Sequence, residues 1–373
     1  MTAGGDSPAL AVGRAPSAAG PASPAADRAF CRTVLPRVSR TFAINIRVLG
    51  GSMAEAVRIG YLLCRTADTI EDSWPGLGAD VERRFGLFLE AVQGASAAAE
   101  ALAREASVGL VGEEADHLDL VAHFPSVWRR FIALVREDRA AVAEGVTTLA
   151  SGMSRYASRM AERLRAAGAG GAAGNVDRAF VPPYLDTEAE LRDYCWVVAG
   201  CVGVMLTRLF AVRARDGSER AARRLGLAPT VGEGLQLTNI LLDWPQDLRR
   251  GRCHVPAEWL AAVGLRPADL IGTRRPGVPE IAGRLEALAR ASLARVPDYL
   301  DAVPARCVRY RLFCLWPALW ALASLRYARQ RPEFQWGAER PRLPRSELRR
   351  SALRSLWAAH RPGTLRRLYA DVS

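Results

Sequence analysis

From Phe30 onward the apolar residues of this chain recur at spacings of three and four, and almost nowhere in strict alternation. That period lays them along one stripe of an α-helix and along no face of a strand. The periodic stretches run over about 28–35, 40–48, 52–73, 79–103, 123–145, 147–167, 187–214, 218–248, 256–263 and 277–330, the last broken near Val303-Pro304. Helices without a sheet bury their stripes only against one another, so an all-α bundle is predicted. Half of the 373 residues are apolar and 24% are charged, the balance of a chain that folds.

Every basic residue is Arg, and 51 of them against 39 acids leave a net charge of +12. A chain without lysine excludes Schiff-base chemistry and the lysine of a phosphate-binding P-loop. Arginine suits bidentate capture of phosphate oxygens, although GC-rich coding yields the same bias without any function. No basic–aromatic motif accompanies the charge, so nucleic acid is not expected as a partner. The seven Cys are scattered without a CxxC, and the four His lie far apart. Reduced core thiols in a cytoplasmic protein and structural or surface histidines are expected.

Residues 1–27 include 20 Ala, Gly, Pro or Ser and no apolar run, which predicts a disordered leader rather than a signal peptide. The longest apolar runs, 195–207 and 312–325, fall short of the roughly 20 residues that span a bilayer, so core helices are expected there. A catalytic domain is predicted over 28–330, interrupted by a flexible insertion at 168–182. The GxGxxxG of that insertion has the wrong spacing for a dinucleotide loop and no strand before it. Residues 331–373 read as an Arg/Pro-rich segment followed by a basic amphipathic tail. Such a tail suits either an anionic membrane surface or a solvated terminal helix.

Two acidic clusters carry chemistry. In Tyr61-Leu-Leu-Cys-Arg65-Thr-Ala-Asp68-Thr-Ile-Glu71-Asp72, the three carboxylates stand at i, i+3 and i+4 and share one helical face. Like charges at that spacing destabilise a helix, and the apolar flanks predict a buried one. Carboxylates so placed call for a cation between them, and Mg²⁺ fits, leaving its other positions to water and substrate phosphate. The alternative is a solvated acidic turn. Arg65 either holds the carboxylates or holds a phosphate.

In Gln236-Leu-Thr-Asn239-Ile-Leu-Leu-Asp243-Trp-Pro-Gln-Asp247, residues Asn239, Asp243 and Asp247 form a polar stripe on an apolar helix. Arg249, Arg250 and Arg252 follow. Buried without partners these groups would cost several kcal/mol each, so they should meet water, a metal or a polar ligand. Pro245 disfavours helical geometry at Trp244 and predicts a kink. Two acidic faces with Arg nearby imply a polyphosphate site bridged by Mg²⁺. The apolar helices around them imply a greasy substrate, and an allylic diphosphate has both properties. Its carbocation must be kept from water, and aromatic faces can stabilise it.

With these segments in place the sequence resembles the squalene/phytoene synthase family, from about Phe30 to Tyr327. VSRTFAINI (38–46), YLLCRTADTIED (61–72), HFPSVWRRF (123–131), YCWVVAGCVGVMLTRLF (194–210) and GLQLTNILLDWPQDLRRGR (234–252) carry the resemblance. The fourth segment is nearer squalene than phytoene synthases. The resemblance implies an isoprenoid-synthase helical bundle around a central cavity. It implies Mg²⁺ ligation by Asp68, Glu71, Asp72, Asn239, Asp243 and Asp247, and diphosphate binding by Ser39, Arg40, Thr41, Arg65, Gln236 and Arg252. Where NADPH is used, Arg40 and Arg65 match its contacts. Tyr61, Tyr194 and Phe313 match aromatic residues that steer the cation or line the second pocket, although Tyr61 and Phe313 also suit plain core. The implied reaction condenses two farnesyl diphosphates into presqualene diphosphate, with squalene or hydroxysqualene beyond it. Two departures stand out: Leu242 and Gln246 occupy the Arg and Glu positions of the family's NxxRDxxED. They keep open a partial reaction from presqualene diphosphate, a phytoene-type or terpene synthase, or a non-catalytic assembly protein.

Overall fold

A computed structural model of the chain describes residues 23–72, 74, 78–107, 115–166, 182–337 and 339–372. Every regular element among them is helical. Residues 1–22 of the expected leader, and all but Pro182 of the expected insertion, lie outside the described residues.

Helix α1 (Pro24–Val38) starts inside the expected leader. Ser23 caps it by accepting from the Ala26 N–H at 3.1 Å, and Pro24 is preset for the first turn. Asp27 is buried there and held by Arg129 at 2.7 Å, so this end belongs to the body of the protein. Ser39 alone separates α1 from α2 (Arg40–Arg47), whose Phe42 N–H it accepts at 3.3 Å. α3 (Gly51–Asp72) carries the first acidic cluster. The stretch expected as one helix over 79–103 is two, α4 (Ala79–Val92) and α5 (Ser96–Ala106), because Gly94 turns the chain at φ +114°.

The break expected at 146 falls earlier, after α6 (Ala115–Ala122) and α7 (Phe124–Ile132). α8 (Arg136–Ala166) then runs unbroken, with Glu137 and Asp138 in its first turn and Arg163 and Arg165 in its last, matching the helix dipole at both ends. α9 (Glu188–Cys195), one π-helical turn (Trp196–Gly200) and α10 (Cys201–Ala214) form a continuous rod. By length and composition this rod could cross a membrane, but it packs against α8 and the next helix, as a core helix does.

That next helix, α11 (Ser218–Arg249), bears the second cluster and continues through Pro229 and Pro245. Trp244, whose helical geometry Pro245 disfavours, keeps it; its indole is buried and donates to the Gln335 carbonyl at 2.9 Å, so packing overrides the local bias. α12 (Ala257–Ala262), α13 (Gly277–Leu293), α14 (Val296–Asp301) and α15 (Val308–Arg329) follow. α16 (Arg345–Ala358) and α17 (Pro362–Val372) fold back onto α15 and α14.

α11 is central, packed against α13, α10 and the π turn. The approach is close because Gly232 has no side chain: a Cβ there would lie 2.5 Å from the Ala199 carbonyl oxygen. All seven cysteines are free, five of them buried.

Candidate active site

The acidic ends of α3 and α11 are joined by the turn after α11. Gly251 takes φ +80°, so its N–H closes on the Leu248 carbonyl at 3.1 Å and the Arg252 N–H on that of Asp247 at 2.8 Å. This glycine-dependent cap satisfies the last carbonyls and reverses the chain. The reversal aims Arg252 at α3, where its guanidinium pairs with Asp72 and donates to the Glu71 carbonyl at 2.7 Å.

Burial pushes the Glu71 carboxyl up to about 7, with Arg252 opposing. Burial also pushes Asp247 up to about 7, and the charges of Asp243 and Glu71 add to the rise. Asp68 and Asp243 are raised by burial against the pull of Arg65 and Arg340. Carboxylates from two helices thus repel one another across a shared space. The donors are hard oxygens, the set Mg²⁺ takes. Among the described residues no three His, Cys, Asp or Glu groups form a ready-made cluster, nor does Mg²⁺ need one when water and phosphates complete its octahedron.

Arg65 donates to the Tyr61 hydroxyl at 3.1 Å and lies 3.5 Å from Asp68, while its Nε is buried without a partner. A buried unused donor on a cation is suited to an anionic oxygen. Tyr61 also packs on Phe42, with ring centroids 5.0 Å apart. Ser39 is committed to its cap, and Arg40 and Thr41 are exposed at the start of α2. Thr41, Asn45, Thr238, Asn239, Leu242 and Arg340 line a cavity of about 220 Å³, bordered by side chains of α15 and α16. Asn45 is buried, and its Oδ1 has no partner. Gln236 is half-buried on α11 and does not line that cavity. Phe313 does not line it either; it packs in the core 6.1 Å from the Tyr310 ring.

Tyr194 belongs to a buried aromatic group with Tyr156, Tyr184 and His254, its ring centroids 5.1–6.0 Å from theirs. Its hydroxyl is 3.2 Å from His254 Nε2, and His254 Nδ1 is 3.5 Å from Asp247. Burial, with the Arg252 charge beside it, pushes the imidazole down to about 3, so it is neutral. The charges of Glu71 and Asp247 both act on Tyr184 and Tyr194, which places the aromatic group beside the acidic faces.

The sequence matches the squalene/phytoene synthase family over residues 35–347. The chain belongs to this family. Its members are prenyltransferases. Similar proteins include a phytoene synthase of Thermus thermophilus, 43% identical over 30% of this chain and 36% of that protein. The squalene synthase of Rattus norvegicus is 24% identical over 79% of this chain and 62% of its own length. The chain thus spans less than two thirds of the length of the curated relatives it matches. Among solved structures, a complex of TcSQS with the ligand BPH1237 superposes with a TM-score of 0.70 at 21% identity, covering 93% of this chain and 90% of that one. A dehydrosqualene synthase complex reaches 0.57 at 19% identity, over 90% and 96% of the two chains. At these identities the likeness shows the fold, the helical bundle of this family.

Leu242, at the position where the resemblance implies an Arg, is buried. Arg340, from the Arg/Pro-rich segment, instead reaches the neighbouring Asp243 at 2.8 Å. Neither Arg340 nor Asn45, Tyr184 and His254 was singled out from sequence. Asn45 was detectable as a lone amide in TFAINI. His254 reads as structural in the sequence because its partner Tyr194 is distant in the chain. Arg340 has no periodicity around it to say where it lands.

Proposed function

We propose that this protein is a Mg²⁺-dependent prenyltransferase that joins two farnesyl diphosphates head-to-head into presqualene diphosphate. The observation that carries this reading is the meeting of α3 and α11, in which Arg252 bridges to Asp72 while Glu71 and Asp247 repel each other nearby. Asp68, Glu71 and Asp72 on one side, and Asn239, Asp243 and Asp247 on the other, would hold the metal. When bound, Mg²⁺ would neutralise the diphosphate and favour its departure. Arg65, Arg252 and Arg340 supply guanidinium donors to diphosphate oxygens, and Arg40 and Thr41 extend that surface from the start of α2. Tyr61, Tyr194 and their aromatic neighbours present ring faces to an allylic cation and exclude water from it. NADPH is proposed only for a reductive step beyond presqualene diphosphate, with Arg40 and Arg65 as its contacts.

The buried Leu242 favours one second reading, an enzyme that takes presqualene diphosphate onward. Purified protein given farnesyl diphosphate and Mg²⁺, with and without NADPH, separates the two by mass spectrometry of the products. Presqualene diphosphate or a C30 product supports the first reading. Turnover of presqualene diphosphate alone supports the second, and conversion of geranylgeranyl diphosphate alone would indicate a phytoene-type enzyme. Asp68→Asn or Asp72→Asn should lower turnover by at least about a hundredfold; wild-type rates in both would remove the first cluster from the mechanism.

A further inference from the structure

α16 is amphipathic in the opposite sense to a packed soluble helix. Ser351, Ser355, Ala358 and Ala359 face inward, and Ser355 is fully buried. Leu353, Leu356 and Trp357 face outward, exposed by 64, 44 and 86%. Their i, i+3, i+4 spacing puts all three on one face. A helix resting on a protein in water turns such side chains inward.

Rotation of the helix is blocked by its inner contacts. The indoles of Trp320 and Trp316 donate to Ser351 and Ser355 at 3.1 and 2.8 Å. Leu348 of the same helix lines the 220 Å³ cavity. The apolar face is therefore held out by the fold.

Arginines ring that face. Arg350 pairs with Glu347 and Arg354 with Asp371, whereas the exposed Arg345, Arg349 and Arg361 make no ion pair among the described residues. An apolar strip bordered by an excess of positive charge complements a surface that is greasy within and anionic at its rim. We propose that α16 docks the protein on an anionic lipid bilayer, with Leu353, Leu356 and Trp357 in the headgroup boundary. Trp favours that depth, and the arginines meet lipid phosphates. The bilayer then lies about one helix diameter, ~10 Å, from the cavity lined by Leu348.

The test is co-sedimentation of the full chain with phosphatidylcholine vesicles, with and without phosphatidylglycerol. The wild type should bind the anionic vesicles. The Leu353→Ser/Trp357→Ser double variant should bind at least about tenfold more weakly, with unchanged circular dichroism and thermal midpoint, because neither side chain supports the core. Three results would each overturn the proposal: no binding to either vesicle, equal binding by the double variant, or a wild-type dimer in ultracentrifugation that the double variant converts to monomer, which would assign the face to a second copy. None of these readouts depends on the reaction catalysed.

Discussion

Arg340 and Leu242 define the residue-scale question at this site. Where the resemblance implies an arginine the chain has a buried leucine, while an arginine almost a hundred residues later pairs with the adjacent Asp243. Arg340 also lines the cavity with Thr41 and Asn239. If it supplies the absent positive charge, Arg340→Ala should raise KM for the prenyl diphosphate by roughly tenfold or more, the scale of one charge-assisted hydrogen bond. Leu242→Arg in that background should restore part of the loss. Steady-state kinetics of the two variants decide it, and an unchanged KM in Arg340→Ala would leave Arg340 a surface pair of Asp243. The sequence showed the gap at 242 but not its neighbour, because the contact is made by a segment without helical period.

At the scale of elements, the end of α11 determines where Arg252 points. Gly251 at φ +80° closes two hydrogen bonds onto the helix and sends the chain toward α3. A side chain there costs about 1–2 kcal/mol in the left-handed region. Gly251→Ala should lower the unfolding free energy measured by denaturant titration by that amount and reduce turnover to the level of Arg252→Ala. Wild-type turnover in Gly251→Ala would show that the turn does not position Arg252. Close approach is a second element-scale feature. Gly232→Ala would press a methyl against the Ala199 carbonyl and should cost about 1–3 kcal/mol. Gly283→Ala, on the exposed side of α13 with nothing within 4 Å, should stabilise by about 0.5–1 kcal/mol. Thermal unfolding of the pair checks both signs. The helices themselves were legible from apolar spacing. Their breaks were less so: Gly94 divides a stretch that reads as continuous, and α8 passes through the expected break at 146.

For the whole molecule, the acidic faces couple stability to pH and metal. Glu71 and Asp247 have ordinary values of 4.5 and 3.8 and rise to about 7 when folded. Between those limits the native state binds more protons than the unfolded chain. Stability without metal should therefore fall as pH rises through that window and level off above about 7. Under the proposed function Mg²⁺ would take the ionised carboxylates, so its stabilisation should grow over the same range. Thermal midpoints in chelator and in Mg²⁺ should nearly coincide at about pH 5 and separate by about pH 8. Coincident midpoints at both pH values would remove metal binding from these faces.

The sequence by itself determined the all-α class, the positions of both acidic clusters on helices and the family resemblance. Those properties reside in spacing along one chain, where a period of three to four has a single structural meaning. Only the tertiary structure decided which cations meet which carboxylates, that Arg252 crosses to Asp72 and Arg340 to Asp243, and that Tyr194 rests against His254. It also decided that α16 turns Leu353 and Trp357 outward while its serines face in. Contacts between residues far apart in sequence depend on how helices cross and where a turn releases the chain, and local periodicity carries no record of either.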